Sequence, residues 1–184
     1  MVLVEIAPPD YDVEVYMVYA TEHNFTGRSI YRRPGCYLNP EAAEALARAI
    51  DLAAAIGLRF KIYDAFRPVE AHRLLWQHTP DPQFVAAPTR GSPHSRGAAV
   101  DVALIDGGGS ELEMGTAVDT NEAQAHHGRT DVSEAAQRNR LTLLGLMTAA
   151  GWDHYRYEWW HYQLFNARSY DVLTDKEANT NIMS

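Results

Sequence analysis

The chain has 184 residues, 46% hydrophobic and 22% charged, which suits one domain with a proper core and is short for two. Its formal net charge is −8 with no block of Lys or Arg, which argues against nucleic acid or an anionic membrane as a partner. Cys36 is the lone cysteine, so neither a disulfide framework nor a cysteine-based zinc site is expected. The opening run Met1-Val2-Leu3-Val4-Glu5-Ile6 lacks a basic flank and a long apolar core, so a signal peptide is not expected. No stretch approaches the length of a membrane span, and the cytoplasm is the default compartment.

Residues 39–57 read as a helix, with Asn39 as cap, Pro40 in the first turn and Gly57 at the exit. Leu46, Ile50 and Ala53 would form its apolar face. Residues 59–64 alternate like a strand, with Phe60, Ile62 and Asp64 on one inward face. A second helix is predicted from Pro68 to His78, stopping before Pro80. Residues 98–105 form a short apolar run typical of a buried strand, ended by Gly107-Gly108-Gly109. Residues 110–130 read as a long loop, and long loops in small domains are often functional. A helix over about 133–150 follows, with Asp131 and Glu134 as a capping-box-like pair and Gly151 as its stop. Residues 159–165 read as another strand, and 171–184 as a polar tail with little order. Strands and helices without regular βαβ alternation predict one α+β domain over 1–184.

Three pieces carry chemistry. Asp101 sits inside the apolar strand, where an unpaired carboxylate is very costly. It needs a protein cation, a dense hydrogen-bond set or a metal. In Glu158-Trp159-Trp160-His161 the acid and the imidazole reach one centre only if the chain bends at Glu158. Read alone, His161 is more simply a satisfied, partly buried histidine, and the tryptophans are core or pocket wall. Arg67, in Asp64-Ala65-Phe66-Arg67-Pro68, either caps a surface carboxylate or stabilises an oxyanion beside a metal. Taken together, His94, Asp101 and His161 form a three-ligand zinc set that leaves a fourth position for water. Glu158 is then the spare carboxylate that water activation requires. The His-Glu-x-x-His pattern of commoner zinc proteases is absent from the sequence.

Ser92-Pro93-His94-Ser95-Arg96-Gly97-Ala98-Ala99-Val100-Asp101, followed by Glu158 to His161, resembles the VanX-type D-alanyl-D-alanine dipeptidases. So do Tyr19 to Gly27, Asp64 to Pro68, Met114 to Asp119 and the doublet His126-His127, in the family's order over nearly the whole chain. The resemblance implies an α+β zinc-peptidase fold, shared with D-Ala-D-Ala carboxypeptidases and the Hedgehog signalling domain, with a central, mainly antiparallel sheet flanked by helices. It implies one zinc per chain on His94, Asp101 and His161, Glu158 as base and acid, and Arg67 on the tetrahedral intermediate. It also implies Asp119 as receiver of the substrate ammonium, Ser92 and Tyr19 near the substrate, and Asp64 orienting Arg67 or a ligand. Pro93 and a short stretch between Arg67 and His94 depart from the enterococcal pattern and bear on pocket shape. The implied substrate is a small D,D-dipeptide, its hydrolysis serving vancomycin resistance or D-alanine salvage. A wall carboxypeptidase or endolysin of the same fold, and a non-catalytic zinc module, are the alternatives.

Overall fold

The computed structural model describes residues 2–184. Its centre is a five-stranded sheet of β2 (Val13–Val15), β4 (Arg59–Asp64), β5 (Ala99–Ile105), β7 (His161–Leu164) and β6 (Trp152–His154), in that spatial order. β2 runs parallel to β4 and every other pairing is antiparallel. A separate antiparallel pair joins β1 (Val4–Glu5) to β3 (Tyr37–Leu38). This is the mixed α+β class, with a mainly antiparallel sheet. β5 is buried at all seven positions, as a central strand covered on both faces must be, and its apolar run leaves only Asp101 needing an explanation.

Among the described residues three helices of more than two turns accompany the sheet: α1 (Pro40–Ala54), α2 (Val69–His78) and α3 (Glu134–Ala149). α1 starts as its sequence dictates, with the Asn39 side chain accepting from Ala42 N and Pro40 in the first turn. It packs on α3 and β4. α3 is capped differently from expectation. Ser133 Oγ accepts from Ala136 N, while Asp131 is taken by Arg129 in an exposed ion pair. A serine one residue before the helix reaches the free N–H groups of the first turn, which Asp131 cannot do while paired. Along α3 the buried face runs Ala136, Arg140, Leu143, Met147, with a guanidinium inside an apolar stripe. Arg140 donates to the carbonyls of Met114 and Gln124, clamping the long loop onto the helix.

The strand expected from residue 159 begins at His161, because Trp159 and Trp160 belong to the turn before it. The polar stretch 171–184 carries α4 (Asp175–Ala178), which has a full capping box between Thr174 and Glu177. Asp175 is buried and accepts from Thr180 Oγ1, Ile182 N and Met183 N, tying the chain end down and burying Ile182. Charged composition masked a set of local hydrogen bonds. Among the described residues no helix is long and apolar enough to cross a membrane.

Candidate metal centre and active site

The sheet itself positions two of the expected ligands. Asp101 on β5 and His161 on β7 are register partners, so their side chains leave the same face of adjacent strands. Asp101 Oδ1 lies 3.0 Å from His161 Nδ1. His94 comes from a 3-10 turn, His94–Arg96, that follows Pro93 in helical backbone conformation and exits through Gly97 at φ +61°. A Cβ on Gly97 would come within 2.9 Å of Asn39 N, so the turn can dock here only with glycine. His94 Nε2 stands 3.0 Å from His161 Nδ1 and 3.3 Å from Asp101 Oδ1.

The outer ring nitrogens settle what these inner atoms offer. His94 Nδ1 is 2.7 Å from the Ala65 carbonyl oxygen, which can only accept, so Nδ1 carries the proton and Nε2 presents a lone pair. His161 Nε2 lies 3.3 Å from Gln163 Oε1, a partner that can hold the ring proton there and free Nδ1 to accept a cation in place of the proton it shares with Asp101. Two imidazole nitrogens and a carboxylate oxygen therefore face one point; burial alone would lower the His161 pKa, but its contact with Asp101 raises it, so a proton shared there is what a bound cation would replace. A tetrahedral zinc with bonds of about 2.0–2.1 Å has ligand–ligand edges of about 3.3 Å, which these separations fit. The donor set, two nitrogens and one oxygen, is that of a catalytic rather than a structural zinc. Burial would raise the Asp101 pKa, but His94 and His161 beside it hold the carboxylate well below its usual range.

Beside this cluster opens a cavity of about 440 Å³. Glu158 lines it from the turn between β6 and β7, where Glu158 N bonds Tyr155 O and His161 N bonds Glu158 O at 3.3 Å. That bend brings Glu158 Oε2 within 3.9 Å of His161 Nδ1. Burial pushes the Glu158 carboxyl up to about 8, against the opposing pull of His161. A bound cation would act in the same direction as His161 and favour the carboxylate.

Arg67 follows β4 and is 7% exposed. Its Nε donates to Asp64 Oδ2 at 2.8 Å, its Nη2 lies 3.6 Å from Asp101 Oδ2, and its guanidinium sits 4.8 Å over the Tyr19 ring. A bulge between Ile62 and Asp64 sets Asp64 opposite Asp101. Fully buried, Asp64 also accepts from Tyr31 at 2.7 Å and stands 3.6 Å from His94 Nδ1. It touches the arginine and a histidine of the cluster at once.

Asp119 also lines the cavity. It takes φ +65°, a left-handed conformation that Asp tolerates better than most residues. Its Oδ1 accepts from Tyr19 Oη at 2.6 Å and its Oδ2 from Phe25 N at 3.2 Å. Burial pushes its carboxyl up to about 7 despite those two bonds. Ser92 lines the cavity too, with its Oγ accepting from His94 N at 3.2 Å. Sequence reasoning passed over Gln163, Tyr31, Phe25 and Phe84. Gln163 was detectable, since position i+2 on a strand shares the face of His161. Nothing local distinguishes the three aromatics from ordinary core.

A family described as D-ala-D-ala dipeptidase matches residues 2–179 of this chain. A D-alanyl-D-alanine dipeptidase of Escherichia coli is 44% identical over 174 residues, covering 95% of this chain and 90% of its own length. One of Enterococcus faecium is 32% identical over 79% of this chain and 83% of its own. A solved VanY D,D-pentapeptidase from a VanB-type resistance cassette, in complex with Zn(II), overlaps 98% of both chains at 16% identity and a TM-score of 0.48. With the family matched over residues 2–179 and these two relatives each more than 30% identical, this chain belongs to the D-Ala-D-Ala dipeptidase family.

Proposed function

We propose that the protein hydrolyses D-Ala-D-Ala to free D-alanine, using one zinc ion on His94, Asp101 and His161. The observation that carries this reading is the convergence of two histidines and an aspartate on one point, in a cavity lined by two further buried carboxylates, Glu158 and Asp119. Zinc held by that cluster would acidify a water to a pKa of roughly 7 and polarise the scissile carbonyl. Glu158 accepts the proton of the attacking water and returns it to the departing amine. Arg67 directs its guanidinium at the oxygen that gains charge in the tetrahedral intermediate, with Asp64 fixing its orientation through Nε. Asp119 receives the substrate ammonium, itself held by Tyr19 and the Phe25 amide.

The same arrangement favours a dipeptidase over a carboxypeptidase, because a longer peptide would leave the Asp119 carboxylate buried without a cation. A structural zinc module would need neither Glu158 nor Arg67. We place the reaction in the cytoplasm, within peptidoglycan metabolism. The test is release of D-alanine from D-Ala-D-Ala by zinc-loaded protein, with L-Ala-L-Ala and N-acetyl-D-Ala-D-Ala alongside. Cleavage of the first alone, abolished by chelation, is expected; cleavage of the acetylated peptide at a similar rate would turn the reading to a carboxypeptidase.

A further inference from the structure

Asp119 belongs to a thin partition. Phe25, whose amide bonds Asp119 Oδ2, packs its ring edge-on against Phe84 with centroids 4.9 Å apart and against His78 at 5.6 Å. Behind these side chains lies a second, more open groove of about 370 Å³, bordered by Asn24, Thr79, Val118 and Asn121. Phe25, Phe84 and Asp119 line both the groove and the cavity beside the metal cluster. The two spaces therefore share these side chains as a common wall. Its three members come from separate loops, one after the Val18–Ala20 turn, one between α2 and His94, and one between β5 and α3.

The direction of the cavity gives the partition meaning. Tyr19 follows β2, Arg67 follows β4, Asp101 is on β5 and His161 is on β7, so the site runs across the sheet in the order β2, β4, β5, β7. Tyr19 and Asp119, bonded to each other, mark the β2 end of the cavity, and Asp119 borders the groove as well. A peptide extended at its amine end would meet the two phenylalanine rings and then, beyond them, the groove.

We propose that the Phe25–Phe84 pair, together with Asp119, sets substrate length, and that the groove behind it is a latent subsite for residues preceding the scissile D,D pair. This rests on the reading of Asp119 as the amine receiver. With the rings in place, the cavity ends one residue before the scissile bond. With them removed, cavity and groove join, and Asp119 gains solvent in place of an enforced ammonium. On the groove border Asn121 offers a side-chain amide, and the Thr120 hydroxyl, which donates to Glu122, can still accept from a peptide main chain.

The experiment compares the parent with Phe25→Ala/Phe84→Ala and with the same pair plus Asp119→Asn, all zinc-loaded, on D-Ala-D-Ala and on N-acetyl-Gly-D-Ala-D-Ala. The parent is expected to cleave only the dipeptide. The triple variant is expected to release D-alanine from the blocked tripeptide at least tenfold faster than the parent, and to lose at least tenfold in kcat/KM on the dipeptide. A folded, metal-loaded variant that cleaves dipeptide but not tripeptide would overturn the partition, and so would a parent that cleaves both. A parent inert on D-Ala-D-Ala defeats the dipeptidase reading instead. Phe84→Ala alone, at a half-buried loop position, gives a second readout. N-acetyl-D-Ala-D-Ala should inhibit dipeptide hydrolysis at least tenfold more tightly than in the parent, and an unchanged inhibition constant counts against the proposal.

Discussion

Asp101 and His161 face each other as register partners across β5 and β7, their Oδ1 and Nδ1 atoms 3.0 Å apart. Backbone pairing of two buried strands thus fixes two of the three acceptors, and the Ala65 carbonyl fixes the third through His94 Nδ1. A cluster held this rigidly cannot relax its acceptors away from one another, so an ion binding there should stabilise the fold strongly. At zinc a hundredfold above its Kd the gain is about 2.7 kcal/mol, or roughly 5–11 °C in Tm for a chain of this size. Thermal scans with zinc and with chelator measure it directly. His161→Ala should abolish the difference, and a Tm indifferent to zinc in the parent would remove the metal from this site.

Glu158 approaches His161 no closer than 3.9 Å while the three acceptors sit at 3.0–3.3 Å from one another. That gap separates a proton carrier from a ligand. Glu158→Gln should bind zinc in the same ratio as the parent while D-Ala-D-Ala turnover falls by about a hundredfold or more, the usual scale for general acid–base groups. Metal analysis of the purified variant beside its kcat decides it. Loss of zinc would recast Glu158 as a fourth ligand.

The elements legible in the chain are those whose signal is local and long. α1 carries its own cap, first-turn proline and exit glycine, and β5 is an unbroken apolar run. β2 and β6 are three residues each and exist because β4 and β7 offer them edges, a fact no short window contains. α4 escaped notice because its stability comes from Asp175 collecting three donors, not from apolar periodicity. At the site, Arg67 at a strand end could equally have capped a surface carboxylate, whereas Asp101 stood out because a carboxylate inside an apolar strand demands a partner. Tyr31 and Phe25 did not, because an aromatic side chain is at home in a core. That Tyr31 aims its hydroxyl at Asp64, and that Phe25 offers its amide to Asp119, are facts of tertiary placement.

Arg67 and Asp64 are mutually dependent. The Asp64 carboxylate is fully buried, and without the guanidinium it keeps only the Tyr31 hydroxyl and the nearby His94. Arg67→Ala should therefore act twice. Losing an oxyanion donor costs about 2.7–4 kcal/mol of transition-state stabilisation, a kcat drop of roughly a hundredfold or more. Breaking a buried ion pair destabilises the fold by about 3–5 kcal/mol. Arg67→Lys keeps the charge but lacks the planar fork that holds Asp64 and reaches the site together, so it should recover more stability than turnover. Denaturant melts and kcat on the two variants separate the effects; a lysine that restores both equally would make Arg67 a charge and nothing more.

With Asp119 as the proposed receiver of the substrate ammonium, binding should depend on pH in a direction that follows from its burial. Its carboxyl is pushed up to about 7, so the anion that an ammonium needs predominates only above that value. The α-amine of a peptide has a pKa of about 7.7–8.0, so the matching cation predominates only below it. Affinity for D-Ala-D-Ala should peak between the two and weaken on both sides. The acidic side belongs to Asp119 and the alkaline side to the substrate. Measuring Kd by calorimetry in the Glu158→Gln background removes turnover and the titration of Glu158 itself. Adding Asp119→Asn should weaken binding at the optimum and flatten the acidic side, while the alkaline fall becomes shallower because no anion remains to discriminate the charged amine. An acidic limb that survives unchanged in the Asn variant would assign the titration to another group and take the ammonium away from Asp119.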